Sequence, residues 1–167
     1  MKLSNYKKVI NVHAIISLAI GVASLACSVM TQFFDIMFHP LGSAQTQMLW
    51  SVAAVAIAMI QYLYTKNILK KRVLSVAYND TLEEKTTAYM RLMLQSFYFS
   101  AFALTAITAI CIFVDNSLLL CLELIVLVFS IMLLKPSAYR MKVDLQLSDD
   151  DVAKIYGDNW DKKQKLT

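Results

Sequence analysis

The sequence predicts an all-α integral membrane protein: a four-helix transmembrane bundle whose second and third spans extend into the cytosol as a helical hairpin. Three observations predict it. Hydrophobic residues make up 58% of the chain and charged residues only 17%, against nearly half and about a quarter in a soluble domain. The apolar residues are gathered into four blocks. The basic residues lie outside those blocks and on alternate connections only.

The first block, residues 9–31, contains no Asp, Glu, Lys or Arg. A hydrocarbon layer about 30 Å thick needs roughly 20 apolar residues in a helix, and this block supplies them. Lys2, Lys7 and Lys8 precede it, which is also how a signal peptide begins. Ser24-Leu25-Ala26-Cys27 even resembles a lipoprotein cleavage box. That box wants an aliphatic residue where Ser24 stands, and the apolar run continues past Cys27, so the block reads as a retained span.

Residues 48–65 form the second span, 92–114 the third and 117–134 the fourth, which is slightly short. None contains Pro, and none alternates like a membrane strand. Four helices that close their own backbone hydrogen bonds meet the demand of hydrocarbon.

Orientation follows from charge. All sixteen Lys and Arg lie before the first span, between spans two and three, or after span four. The connections 32–47 and 115–116 carry none. By the positive-inside rule, both chain ends face the cytosol. The expected location is a bacterial inner membrane.

The connection 66–91 is not a plain loop. Ile68, Leu69, Val73, Leu74, Val76 and Ala77 recur at near-helical spacing. Thr81-Leu82-Glu83-Glu84 is a capping box, so a helix starts at Leu82 and runs into span three. The transmembrane domain is read as residues 1–142 and the cytosolic tail as 143–167. Within the tail, Ser148-Asp149-Asp150-Asp151 opens a short helix, about 149–156, that ends at Gly157. Ile155, Tyr156 and Trp160 are apolar on an otherwise charged tail. They either contact a cytosolic partner or dock on this chain's own helices.

Few polar residues lie in the spans. Glu123 stands about two turns inside span four, where a carboxyl is expensive and should face protein or water. It reads as a proton or cation site, as part of an acid ring in an oligomeric pore, or as one interhelical hydrogen bond. His13, Gln61 and Gln95 share an inner depth and form either a gate or a joint between helices. His39 is alone in the first outer connection. Cys27, Cys111 and Cys121 share an outer depth with Glu123, so they either converge on a soft metal site or pack as small hydrophobes. The second reading leaves no metal and no cofactor.

Small residues form stripes: Ser17, Gly21, Ser24 and Ser28 on span one, Ala54 and Ala58 on span two, Ser96, Ser100 and Ala103 on span three. Such stripes let helices approach closely, within one bundle or between copies. Span count is shared with small multidrug exporters, vitamin K-type quinone reductases and tetraspanins, but the features that define each are missing.

The expected function is therefore a small non-enzymatic membrane protein that self-associates and forms an ion channel or pore. The alternative is a membrane-anchored scaffold that binds a cytosolic protein through the hairpin and tail. The expected partners are the lipid bilayer, further copies of the chain and a cytosolic protein, and not nucleic acid.

Overall fold

The computed structural model describes residues 6–34, 43–78, 81–114, 116–134 and 137–157. They form seven α-helices and one π-helical turn, with no strand among the described residues. In order these are α1 (Tyr6–Phe34), α2 (Ala44–Leu63), the π turn (Tyr64–Leu69), α3 (Lys70–Ala77), α4 (Leu82–Phe113), α5 (Leu118–Leu134), α6 (Ala138–Leu145) and α7 (Asp149–Tyr156). His39 and Trp160 lie outside the described residues, as does most of the first outer connection.

Three helices are long and apolar enough to cross a membrane: α1, the continuous run from α2 through α3, and α4. α5 is as apolar but has 17 residues, about 26 Å of helix. Large apolar side chains such as Ile15, Phe33, Leu49, Met59, Phe102 and Met132 are exposed around the bundle. Exposure on this scale suits lipid, because water would drive these faces together.

α4 is the centre of the fold. Half of its apolar stretch is buried, against 17% for α1. α1 packs along α4 and α5, and α2 packs on α4 and α5 from another side. α1 and α2, consecutive in sequence, make almost no contact. The small residues make this packing close. A Cβ on Gly21 would stand 2.6 Å from Leu127 Cδ1 and 3.0 Å from Leu104 Cδ1, so α1 meets both neighbours there. Gly21, Ser24, Ser28, Ala54, Ala58, Ser96, Ser100 and Ala103 are all buried inside the one chain, and Ser17 is half-buried.

The π turn has a sequence cause. The buried residues Gln61, Thr65, Leu69, Val73 and Ala77 recur every four positions. A helix of 3.6 residues per turn would drift about 40° at each step. A wider turn at Tyr64–Leu69 takes up part of that drift and keeps the stripe on α4.

At one end of the bundle, called here the base, the chain folds back on itself. Tyr6, Ile10, Leu69, Val73, Tyr89, Met93, Met141, Leu145, Val152 and Ile155 share one buried core. It joins the start of α1 to α3, α4, α6 and α7. α6 begins at Ser137, whose side chain accepts from the Arg140 amide, and ends on Gln146 in the left-handed conformation. A hydrogen bond from the Leu147 amide to the Lys142 carbonyl (3.0 Å) closes that end. α7 is capped by Ser148, as its sequence dictates. The tail therefore holds two helices where the sequence reading has one, and α6 crosses the boundary drawn at residue 142.

Candidate functional site

Three layers of polar side chains join the helices. One is a triad that ties α2, α4 and α5 together. The Gln61 amide donates to Ser100 Oγ (3.1 Å) and Ser130 Oγ (2.8 Å). Ser100 Oγ donates to Ser130 Oγ, which donates to the Val126 carbonyl (2.7 Å). Both amide protons and both hydroxyl protons are placed, so this layer is a satisfied joint.

The second layer lies two turns along α5, toward the end opposite the base. It contains Glu123 from α5, Thr108 and Cys111 from α4, and Ser28 from α1, all buried. Thr108 Oγ1 is 2.6 Å from Glu123 Oε1 and 3.0 Å from the Leu104 carbonyl. Among the described residues Glu123 Oε2 has no hydrogen-bond partner, and Ser28 Oγ has none but the Cys111 thiol beside it. This layer is therefore under-satisfied, in contrast to the triad. Buried polar atoms without partners are rare and costly, at about 1–3 kcal/mol each. Above it, the Gln32 amide reaches the carbonyls of Cys111 and Asn116 (both 3.4 Å) and closes the end of the bundle.

Leu104 and Leu127 separate the two layers, and Ile107 is buried in the same apolar core. On α4 the stripe reads Ser100, Leu104, Thr108, Cys111; on α5 it reads Glu123, Leu127, Ser130. Gly21 of α1 packs on these same two leucines.

The third layer is at the base. The Tyr89 hydroxyl donates to Asp144 Oδ2 (2.9 Å), and Asp144 also pairs with Arg140 (3.4 Å). The Tyr6 and Tyr156 rings meet edge-on at 6.1 Å. Burial pushes all three phenols up. Tyr6 and Tyr89 rise well above the usual value, helped by charge on Tyr156 and Asp144 respectively, and Tyr156 is raised to about 12.

The structure separates several residues that their depth had grouped. His13 Nδ1 is 2.7 Å from the Tyr98 hydroxyl at the edge of the bundle. Gln61 is in the central triad. Gln95 is exposed in a groove of about 530 Å³ with Glu83, Glu84 and Arg91. The three do not form one cluster, because α1 and α2 are kept apart and Gln95 lies off the buried stripe of α4. The cysteines do not converge either: Cys111 is buried beside the Glu123 layer, while Cys27 and Cys121 face outward. No metal-holding group is found among the described residues. Ile155 is buried in the base core and Tyr156 packs beside it.

Two partners escape the sequence reading. Ser130 is the one polar residue in the second half of span four, and its spacing of seven from Glu123 puts both on one helix face. Thr108 carries a weaker signal, since Thr is common in membrane helices. The chain matches no protein-family model, no curated protein and no solved structure.

Proposed function

We propose that this protein is a four-span ion-handling membrane protein of channel type, with Glu123 as the site that takes a proton or small cation. The single observation behind the reading is the buried carboxyl whose Oε2 has no partner among the described residues. A carboxyl at that depth without a charged partner is costly to keep, and such residues mark ion and proton paths. The path runs inside the chain: past Gln32 to Glu123, through the leucine layer, to the Gln61–Ser100–Ser130 triad. Leu104 and Leu127 close it. Because the small-residue stripes are turned inward, the path needs no ring of copies.

In this reading α5 is the fourth span. The base faces the cytosol, with α3 and the start of α4 projecting as a hairpin. The basic residues support the orientation: those of the described chain sit at the base end, and none lies near residues 43–47 or 116–118.

Purified protein in liposomes with an imposed proton or potassium gradient tests the reading. The wild type should dissipate one of the gradients, and Glu123→Gln should abolish or strongly reduce the flux. Equal flux for the two proteins, or none from the wild type across the pH range, overturns it.

A second reading, a scaffold for a cytosolic protein, is supported by the base. Tyr78, Tyr139 and Val143 are 83%, 61% and 57% exposed there. Tyr139→Glu with Val143→Glu should then remove proteins that co-purify with the wild type; an unchanged set ends this reading.

A further inference from the structure

Between α1, α4 and α5 lies a groove of about 460 Å³ that opens sideways from the bundle. The volume falls within the roughly 300–1,000 Å³ of ligand sites. Its origin is the close approach at Gly21. Every α1 residue lining the groove lies on the base side of Gly21, so α1 diverges from α5 below that crossing. Ala14, Leu18, Phe97, Leu104, Leu127 and Ile131 form its walls.

Three hydroxyls also line it, and all three are already engaged. Ser17 donates to the Phe97 carbonyl (3.0 Å), and Ser100 and Ser130 belong to the central triad. The interior therefore offers hydrocarbon and bonded oxygens, which suits an apolar chain and not a polar solute. The mouth is different. Asn11 lines it and is exposed. The α1 stripe Leu18, Ala14, Asn11 continues at helical spacing to Lys7, one turn further toward the base. Lys7 and Lys8 are both exposed, and Lys7 Nζ is 6.0 Å from the Tyr156 ring centre. The groove thus runs from an apolar interior to positive charge at the membrane surface.

We propose that the groove holds one acyl chain of an anionic phospholipid, with the headgroup phosphate at Lys7, Lys8 and Asn11. An acyl chain fits the walls, and juxtamembrane lysines attract anionic headgroups. The lipid would sit beside Ser100, Ser130 and the leucine layer, where it fills the space that the divergence of α1 leaves open. This rests on placing the base at the cytosolic surface, and not on ion transfer at Glu123.

The test is native mass spectrometry of the full chain in mild detergent, titrated separately with dioleoyl phosphatidylglycerol, dioleoyl phosphatidylcholine and oleate. One phosphatidylglycerol should bind per chain, ahead of the other two. Ala14→Trp and Ile131→Trp fill the groove from opposite walls, and each should lose the bound lipid. Circular dichroism identifies folded variants, and either one suffices. Lys7→Ala with Lys8→Ala should weaken phosphatidylglycerol binding roughly thirtyfold, the loss expected for two surface lysines, and leave phosphatidylcholine unchanged. Glu123→Gln should bind lipid as the wild type does, so failure of the ion reading is seen separately. Equal binding of the two phospholipids, oleate binding as tightly as phosphatidylglycerol, or retention of lipid by a folded groove-filled variant overturns the proposal.

Discussion

The Thr108 hydroxyl stands between two acceptors, 2.6 Å from Glu123 Oε1 and 3.0 Å from the Leu104 carbonyl. It has one proton to give. Thr108→Val removes the one side chain hydrogen-bonded to the buried carboxyl among the described residues, and should cost about 1–3 kcal/mol. Glu123→Gln keeps the shape and supplies an amide donor, so it should cost less than about 1 kcal/mol. Thermal unfolding in detergent checks both. A larger loss for Glu123→Gln than for Thr108→Val contradicts the pairing.

The central triad should behave as an ordinary joint. Gln61→Leu leaves Ser100 and Ser130 bonded to each other and to the Val126 carbonyl, so no hydroxyl proton is stranded. The expected loss is about 0.6–1.7 kcal/mol, the range for interhelical hydrogen bonds in membranes. The same unfolding experiment measures it, and a loss above about 3 kcal/mol would place the triad among buried networks that cannot relax.

Gly21 links packing to the path. Its nearest neighbours are two leucine methyls, and these are flexible. Gly21→Ala should therefore be nearly neutral, since the helix gains about 0.8–1.0 kcal/mol in propensity while the methyls shift aside. Gly21→Ile cannot be absorbed and should cost about 1–3 kcal/mol by overpacking. It should also move α1 off the leucine layer, and so raise the ion leak in liposomes. Stability loss with no change in leak would separate Gly21 from the path.

Alkali should loosen the base before the spans. The ordinary tyrosine value is 10.0, and Tyr156 is raised to about 12, with Tyr6 and Tyr89 also raised. A phenol held neutral in the fold contributes stability that is complete below the unfolded value. That contribution is lost as pH rises through the folded value, because the unfolded chain then releases the proton first. The base should thus weaken from about pH 10 upward through pH 12, while acid leaves these groups unchanged. A tyrosinate absorbance titration should show a buried class that ionises well above pH 10. The absence of any class ionising above pH 10 would contradict it.

Much of this architecture is legible in the sequence. Apolar length marks α1, α2 and α4, and the capping box at Thr81 places the start of α4 at Leu82, where Thr81 accepts from the Glu84 amide. Ser148 and Gly157 bound α7 as read. Other features depend on which faces meet. The π turn is encoded in a four-residue stripe that is visible only once burial is known. α6 lacks an acidic first turn and follows Lys135-Pro136, so its Ser137 cap is easily missed. At the site, residue type and depth pick out Glu123, but depth alone groups His13, Gln61 and Gln95. Helix order in space, which no local pattern encodes, places them apart.

With α5 crossing the bilayer, Glu123 lies in hydrocarbon and the base lies on the side opposite the α4–α5 connection. Ser117 and Asp150 are exposed and flank α5. In a chain whose native cysteines are replaced by alanine, Ser117→Cys and Asp150→Cys can each be labelled in intact cells with a membrane-impermeant maleimide. Ser117→Cys should react from outside, and Asp150→Cys only after the cells are permeabilised. Both cysteines reacting from the same side would contradict it.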